Sequence, residues 1–188
     1  MKINGRLILF TILLAALATA CKYFFGPDLS WSGFSPIIAI ALFSGLIIKE
    51  RNLSFLLPLL ALLISDIAIQ VLYKQGLFPY SGFYSDQWIN YLILLGCTLI
   101  GWILQGEKYS NIIIASIAAP TIFFLLSNLT VWMGTQVTYT KDLNGLMKCY
   151  IAGLPFYERS LIATMLFVPV ILFAYNYLVK QKTELKLA

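Results

Sequence analysis

Residues 52–73 read NLSFLLPLLALLISDIAIQVLY, an apolar run long enough to cross a bilayer, with a carboxylate inside it. As a helix, about 20 apolar residues cover the ~30 Å hydrocarbon core. Asp66 lies in the second half of the run, where an ionised acid costs roughly 2.5–3.5 kcal/mol on insertion scales. That cost decides what this helix faces: protein, a polar cavity or water, and not lipid. Asp66 reads as the only charged side chain inside the hydrophobic spans, and at helical spacing it shares a face with Leu62, Gln70 and Tyr73.

The rest of the chain has the same character. Of its 188 residues 60% are hydrophobic and 11% charged, whereas soluble domains run near one quarter charged. No alternating strand pattern appears, so the backbone must close its hydrogen bonds as helices. The fold class expected is an all-α integral membrane protein, a six-transmembrane-helix bundle forming one domain over residues 1–188. The spacing predicts helices at 7–25, 36–48, 53–72, 88–104, 111–133 and 160–179. Leu146, Met147, Tyr150, Ile151 and Leu154 repeat at helical spacing and predict a short interfacial helix over 145–154.

Two readings of the first segment stand side by side. Basic residues, an apolar stretch and Ala18, Thr19 and Ala20 before Cys21 resemble a secretory signal. Alternatively the helix is retained, and Ala16 and Ala20 give it a smooth face. The second helix is more constraining. Ser35 followed by Pro36 is a helix start, with Ser as N-cap and Pro in the first helical position. At about 13 residues, or ~20 Å, this helix is short for a span. Its N-terminus is therefore expected below the membrane surface, facing a cavity. Ala41 and Gly45 give it a packing face.

Six crossings put both chain ends on one side. Eight of the 13 basic residues fall there, from Lys2 and Arg6 through Lys49, Arg51 and Lys108 to Lys180, Lys182 and Lys186. Lys22, Lys74, Lys141, Lys148 and Arg159 fall on the other. The bias places both termini in the cytoplasm of an inner (plasma) membrane protein. Short turns then lie inside, and three long aromatic loops lie outside. Scattered as they are, these basic residues suit membrane lipids as partners, not nucleic acid.

Three long loops above a truncated helix are a recipe for a pocket entered from outside. Its candidate ligand-binding residues are Phe34 and Ser35 from the first loop, with Trp31 beside them, and Tyr80 and Tyr84 from the second, with Trp88. Asp66 comes from the third helix, and Asn128, Trp132, Tyr139 and Tyr150 from the fifth helix and the third loop. Small-molecule sites are built from aromatic faces with a few directed polar groups. The competing reading of the aromatics is an interfacial belt, and that of Asn128 and Thr121 an interhelical hydrogen bond. For Asp66 a structural hydrogen-bond network, ligand contact and proton coupling all stay open.

The catalytic inventory is thin. The chain has no His, which excludes HExxH zinc chemistry, a Ser-His-Asp triad and a Cys-His pair. Cys21, Cys97 and Cys149 lack metal-ligand spacing, so neither a metal nor another cofactor is expected. A Cys21–Cys149 disulfide on the outer side is one alternative. There is no GxxxxGK[ST] loop for a nucleotide. A membrane enzyme would need a nucleophile–base pair or paired carboxylates, and neither is found. A non-catalytic accessory or assembly protein is the other rival.

Four blocks occur in order along the chain: FSPIIAIALFSG (34–45), PLLALLISD (58–66), SNLTVW (127–132) and GLMKCYIAGLPF (145–156). Together they resemble an uncharacterised family of small bacterial integral membrane proteins, over residues 34–177. That family looks like the substrate-binding (S) components of ECF-type vitamin transporters. The resemblance implies an S-component-like fold that captures a small-molecule micronutrient from outside. It also implies a transmembrane coupling subunit and two ATPases as partners, with Ala16/Ala20 and Ala41/Gly45 as docking faces. Phe34, Asp66, Asn128, Trp132, Tyr150 and Phe156 sit in the matching blocks. The family commonly has an acid shortly after the LPF block in the sixth helix, and residues 160–164, which open that predicted helix, have none, so any role resting on that acid is in doubt.

Overall fold

The structure, a computed structural model, describes residues 5–28, 30–105, 108–134 and 138–181. Among them are six helices and no strand: α1 (Gly5–Phe25), α2 (Ile37–Ile47), α3 (Arg51–Lys74), α4 (Gln87–Ile103), α5 (Tyr109–Met133) and α6 (Leu143–Leu178). Of these α1, α3, α5 and α6 are long and apolar enough to cross a membrane; α2 and α4, with 11 and 17 residues, are shorter. The bundle is turned outward in its chemistry. Ile8, Ile67, Leu99, Ile113 and Phe173 stand about half exposed, while Ser65, Asp66, Thr98 and Thr164 are buried. So large an apolar surface belongs against lipid, and the chain is a multi-pass membrane protein.

Contacts at the helix ends fix the directions. Near the start of α1, Phe10 packs on Phe43 near the end of α2 and on Tyr175 near the end of α6, ring centroids 5.6 and 5.4 Å apart. At the same end, Trp102 of α4 donates its Nε1–H to Ser54 of α3 at 2.8 Å. Asn111 of α5 donates to the Leu104 carbonyl at 3.0 Å. Successive helices therefore run antiparallel, and α1 begins at the end of the bundle where α6 finishes.

The centre is α2. Ten of its 11 residues are buried, as expected of a helix that is apolar all round, and it is only ~16 Å long. Its start falls one residue later than expected: Pro36 is the N-cap, its carbonyl accepting from Ile40 N at 2.8 Å, and Ser35 Oγ accepts loosely from Ile37 N at 3.4 Å. Two glycines let α2 and α4 touch backbone to backbone. A Cβ on Gly101 would lie 2.7 Å from the Leu42 carbonyl oxygen, and one on Gly45 would collide with the Thr98 carbonyl. The Ala41/Gly45 face is thus an internal seam between two helices, not a docking surface, which corrects that expectation. Ala16 and Ala20 remain exposed on α1.

Two other expectations are corrected, and one open alternative is decided. The interfacial helix over 145–154 and the span over 160–179 are one continuous 36-residue helix, α6. The polar Glu158, Arg159 and Ser160 read as a boundary, yet the last two leave the helix intact and bind the α1–α2 connector instead. Arg159 donates Nε–H to the Ser30 carbonyl at 3.0 Å, and Ser160 its hydroxyl to the Gly33 carbonyl at 3.1 Å. Lys148 and Arg159 are accordingly helical rather than looped, and Lys22 lies inside α1, so Asp66 is not the only charge within the helices. Lastly, Cys21, Cys97 and Cys149 are free and buried, with no Cys21–Cys149 bond. Lys2, Glu107, Lys182 and Lys186 lie outside the described residues.

The α6 start is capped. Asp142 accepts from the Gly145 amide at 2.7 Å and from the Thr140 hydroxyl at 2.8 Å. Those bonds, the Gly145 amide foremost, hold its carboxyl below the usual carboxylate range.

Candidate ligand cavity

Because α2 stops short, the space over its N-terminus is hollow. A cavity of about 420 Å³ lies there, with Ser35 and Ile37 on its wall. Two kinds of surface meet in it. Lys22 of α1, Ser65 and Asp66 of α3, and Gln87 and Asn90 of α4 supply polar groups; Pro120, Phe123 and Phe124 of α5 with Phe156 and Tyr157 of α6 supply an apolar, mostly aromatic one.

Asp66 organises the polar side. It is fully buried, and its two oxygens accept from three donors on two other helices. Lys22 Nζ binds Oδ1, while Gln87 Nε2 and the Tyr91 hydroxyl bind Oδ2, the last at 2.6 Å. A buried carboxylate is tolerable in such company, since a partner cation and hydrogen bonds offset its desolvation. The Lys22 side chain keeps 30% of its surface exposed. One turn further along α3, Gln70 Oε1 accepts from the Ser81 hydroxyl at 2.6 Å and from Phe83 N at 3.1 Å, which ties down the α3–α4 connector.

The α1–α2 connector closes over the cavity from the α6 side. Gly33 has φ +94°, and a Cβ there would lie 2.7 Å from the Phe156 carbonyl oxygen, so only glycine fits. The Arg159 guanidinium lies over the Trp31 ring, 5.3 Å from its centroid. On the α4 side, the Tyr84 hydroxyl accepts from Asn90 Nδ2 at 2.5 Å. Burial is the main influence pushing the Tyr84 phenol above its ordinary value, and the Asp66 and Asp86 carboxylates add to it.

Of the sequence-derived candidates, Ser35, Asp66, Tyr84 and Asn128 line this cavity, as does Phe156. Asn128 also donates to the Phe124 carbonyl at 2.9 Å, and its Oδ1 faces Gly153, where a Cβ would lie 2.5 Å away. Thr121 shares a 2.9 Å hydroxyl contact with Tyr157 across α5 and α6. The other candidates are placed elsewhere. Phe34 packs among Phe25, Trp31 and Phe167 at 5.1–5.7 Å, and Tyr80 against Phe78 at 4.6 Å. Trp132 donates to the Thr140 carbonyl at 2.9 Å, beside Tyr139, and Tyr150 to the Leu125 carbonyl at 3.0 Å.

Sequence reasoning missed Lys22, Gln87 and Tyr91, the three partners of Asp66. For Lys22 a signal existed: one base near the outer end of the first apolar segment and one acid in the outer half of the third. Gln87 falls one residue outside the predicted 88–104 helix, although it begins α4. Among the described residues no group of three His, Cys, Asp or Glu side chains could hold a metal ion.

A family model described as "Family of unknown function (DUF6580)" matches residues 1–186. No curated protein and no solved structure matches the chain.

Proposed function

We propose that this chain, which belongs to the DUF6580 family of unknown function, is the small-molecule-binding component of a transporter in the bacterial inner membrane. The observation that carries this reading is the cavity of about 420 Å³ over a truncated, wholly packed central helix, with a bonded charge pair in its wall. Ligand pockets run from roughly 300 to 1,000 Å³ and combine apolar walls with a few placed polar groups. The resemblance of four sequence blocks to ECF-type S components points the same way. On this reading the chain captures a micronutrient, and a transmembrane coupling subunit with ATPases supplies the energy. Its role is non-catalytic: the lysine and the acid of the wall are bonded to each other, which suits a binding wall better than a reacting centre.

The test is thermal unfolding of the purified protein against a panel of vitamins and their precursors. A binder at a hundredfold excess over its dissociation constant should stabilise the fold by about 2.7 kcal/mol. A panel without a single shift would favour the accessory-protein reading. Orientation is tested separately. The basic excess at the end where α1 begins favours a cytoplasmic position for that end, with the cavity outside. A cysteine in place of Tyr80 should react with an impermeant thiol reagent on whole cells, and one in place of Lys49 only after permeabilisation; the reverse pattern inverts the cavity.

A further inference from the structure

We infer that the ligand is a small aromatic carboxylate, its anionic head on Lys22 and its ring against the aromatic wall of α5 and α6; this deepens the binding-cavity reading and rests on it. The charge pair is unequal in what it shows the cavity. Asp66 is fully buried, and both its oxygens are occupied by Lys22, Gln87 and Tyr91. The Lys22 side chain is 30% exposed, and Asp66 is the one hydrogen-bond partner of its ammonium among the described residues. An ammonium carries three donors, so two remain for an incoming acceptor. The accessible charge is therefore positive, although the pair is neutral as a whole.

The α2 terminus adds to the same sign. Its ladder opens with the Pro36 carbonyl accepting from Ile40, so the amides before Ile40 have no intrahelical acceptor. Ile37, whose own amide donates loosely to Ser35 Oγ, stands on the cavity wall, so the terminus acts there through its dipole. A cationic ligand would have to displace Lys22 from an acid with no free oxygen. A neutral ligand would offer the ammonium an acceptor without an opposing charge, whereas a carboxylate supplies two acceptor oxygens and the charge together. The remainder of the ligand meets Phe123, Phe124, Phe156 and Tyr157, with the Phe124 and Tyr157 rings 4.9 Å apart. Rings pack on such a surface in edge-to-face or offset contact.

The test compares matched pairs on the full chain in detergent. Benzoate, 4-aminobenzoate and indole-3-acetate are each titrated against the corresponding carboxamide, with the unfolding midpoint as readout. At least one carboxylate should bind at least tenfold more tightly than its amide. In the Lys22→Gln/Asp66→Asn double variant, whose wall stays hydrogen-bonded without charge, that preference should disappear. Amides binding as well as carboxylates, or a preference that survives in the double variant, overturns the inference. Shifts from cationic or neutral members of the vitamin panel alone overturn it too, yet leave the binding cavity standing. No shift from any compound overturns both. Should the double variant not fold, the comparison on the unaltered protein decides.

Discussion

Asp66→Ala is expected to lower stability by about 3 kcal/mol, the low end of the cost of stripping one partner from a buried ion pair. The loss stays at the low end because Lys22 is partly exposed, where water screens the orphaned ammonium. Gln87 and Tyr91 lose their acceptor in the same step. Tyr91→Phe removes one hydrogen bond to a charged group and should cost about 1.5 kcal/mol. By contrast, Lys22→Met/Asp66→Leu replaces both charges with apolar bulk and should recover much of the loss, because well-packed apolar groups often equal a buried pair. The ordering is read from unfolding midpoints of the three variants in one detergent. An Asp66→Ala protein as stable as the parent would mean that the acid is not the tie between α1, α3 and α4.

Gly101→Ala should destabilise by about 3 kcal/mol, while Gly96→Ala on the same helix should be neutral or stabilising by up to about 1 kcal/mol. The pair differ only in what a methyl group meets. At Gly101 it would lie 2.7 Å from the Leu42 carbonyl and 3.0 Å from Gly45 Cα, so α2 and α4 must part. Forced overpacking of this kind costs about 1–3 kcal/mol, and here the obstacle is backbone that no rotamer change can move. At Gly96 nothing lies within 4 Å, and alanine is the better helix former by about 1 kcal/mol. Equal effects at the two positions would show that α2 and α4 are not in backbone contact.

What could be read in advance follows from how the bilayer acts on a sequence. Lipid rejects an ionised acid, so Asp66 had to face inward, and it does. A helix too short to span leaves a hollow, so the shortness of the 36–48 segment already implied open space above Ser35. Lys22 was harder to place, since a lysine near a helix end can extend its amine to the headgroups; only the three-dimensional neighbourhood turns it toward Asp66. The continuity of α6 was hidden for a related reason. Glu158, Arg159 and Ser160 have the composition of a turn, and the function of the last two in holding down residues 30–33 appears only when a chain segment over 120 residues distant comes alongside. Aromatics such as Trp132 and Tyr150 could not be sorted at all, because an interfacial ring and a pocket ring look alike in one dimension.

The short α2 also sets what a single copy of this chain cannot do. Beneath the hollow it forms a stopper, ~16 Å deep, with ten of its 11 residues buried and the Gly45–Gly101 seam gripping its flank. A solute that reaches the bottom of the cup meets solid protein rather than a second aqueous compartment. Passage to the far side would require the stopper to be drawn or the whole cup to tip over, and the first breaks the backbone contact between α2 and α4.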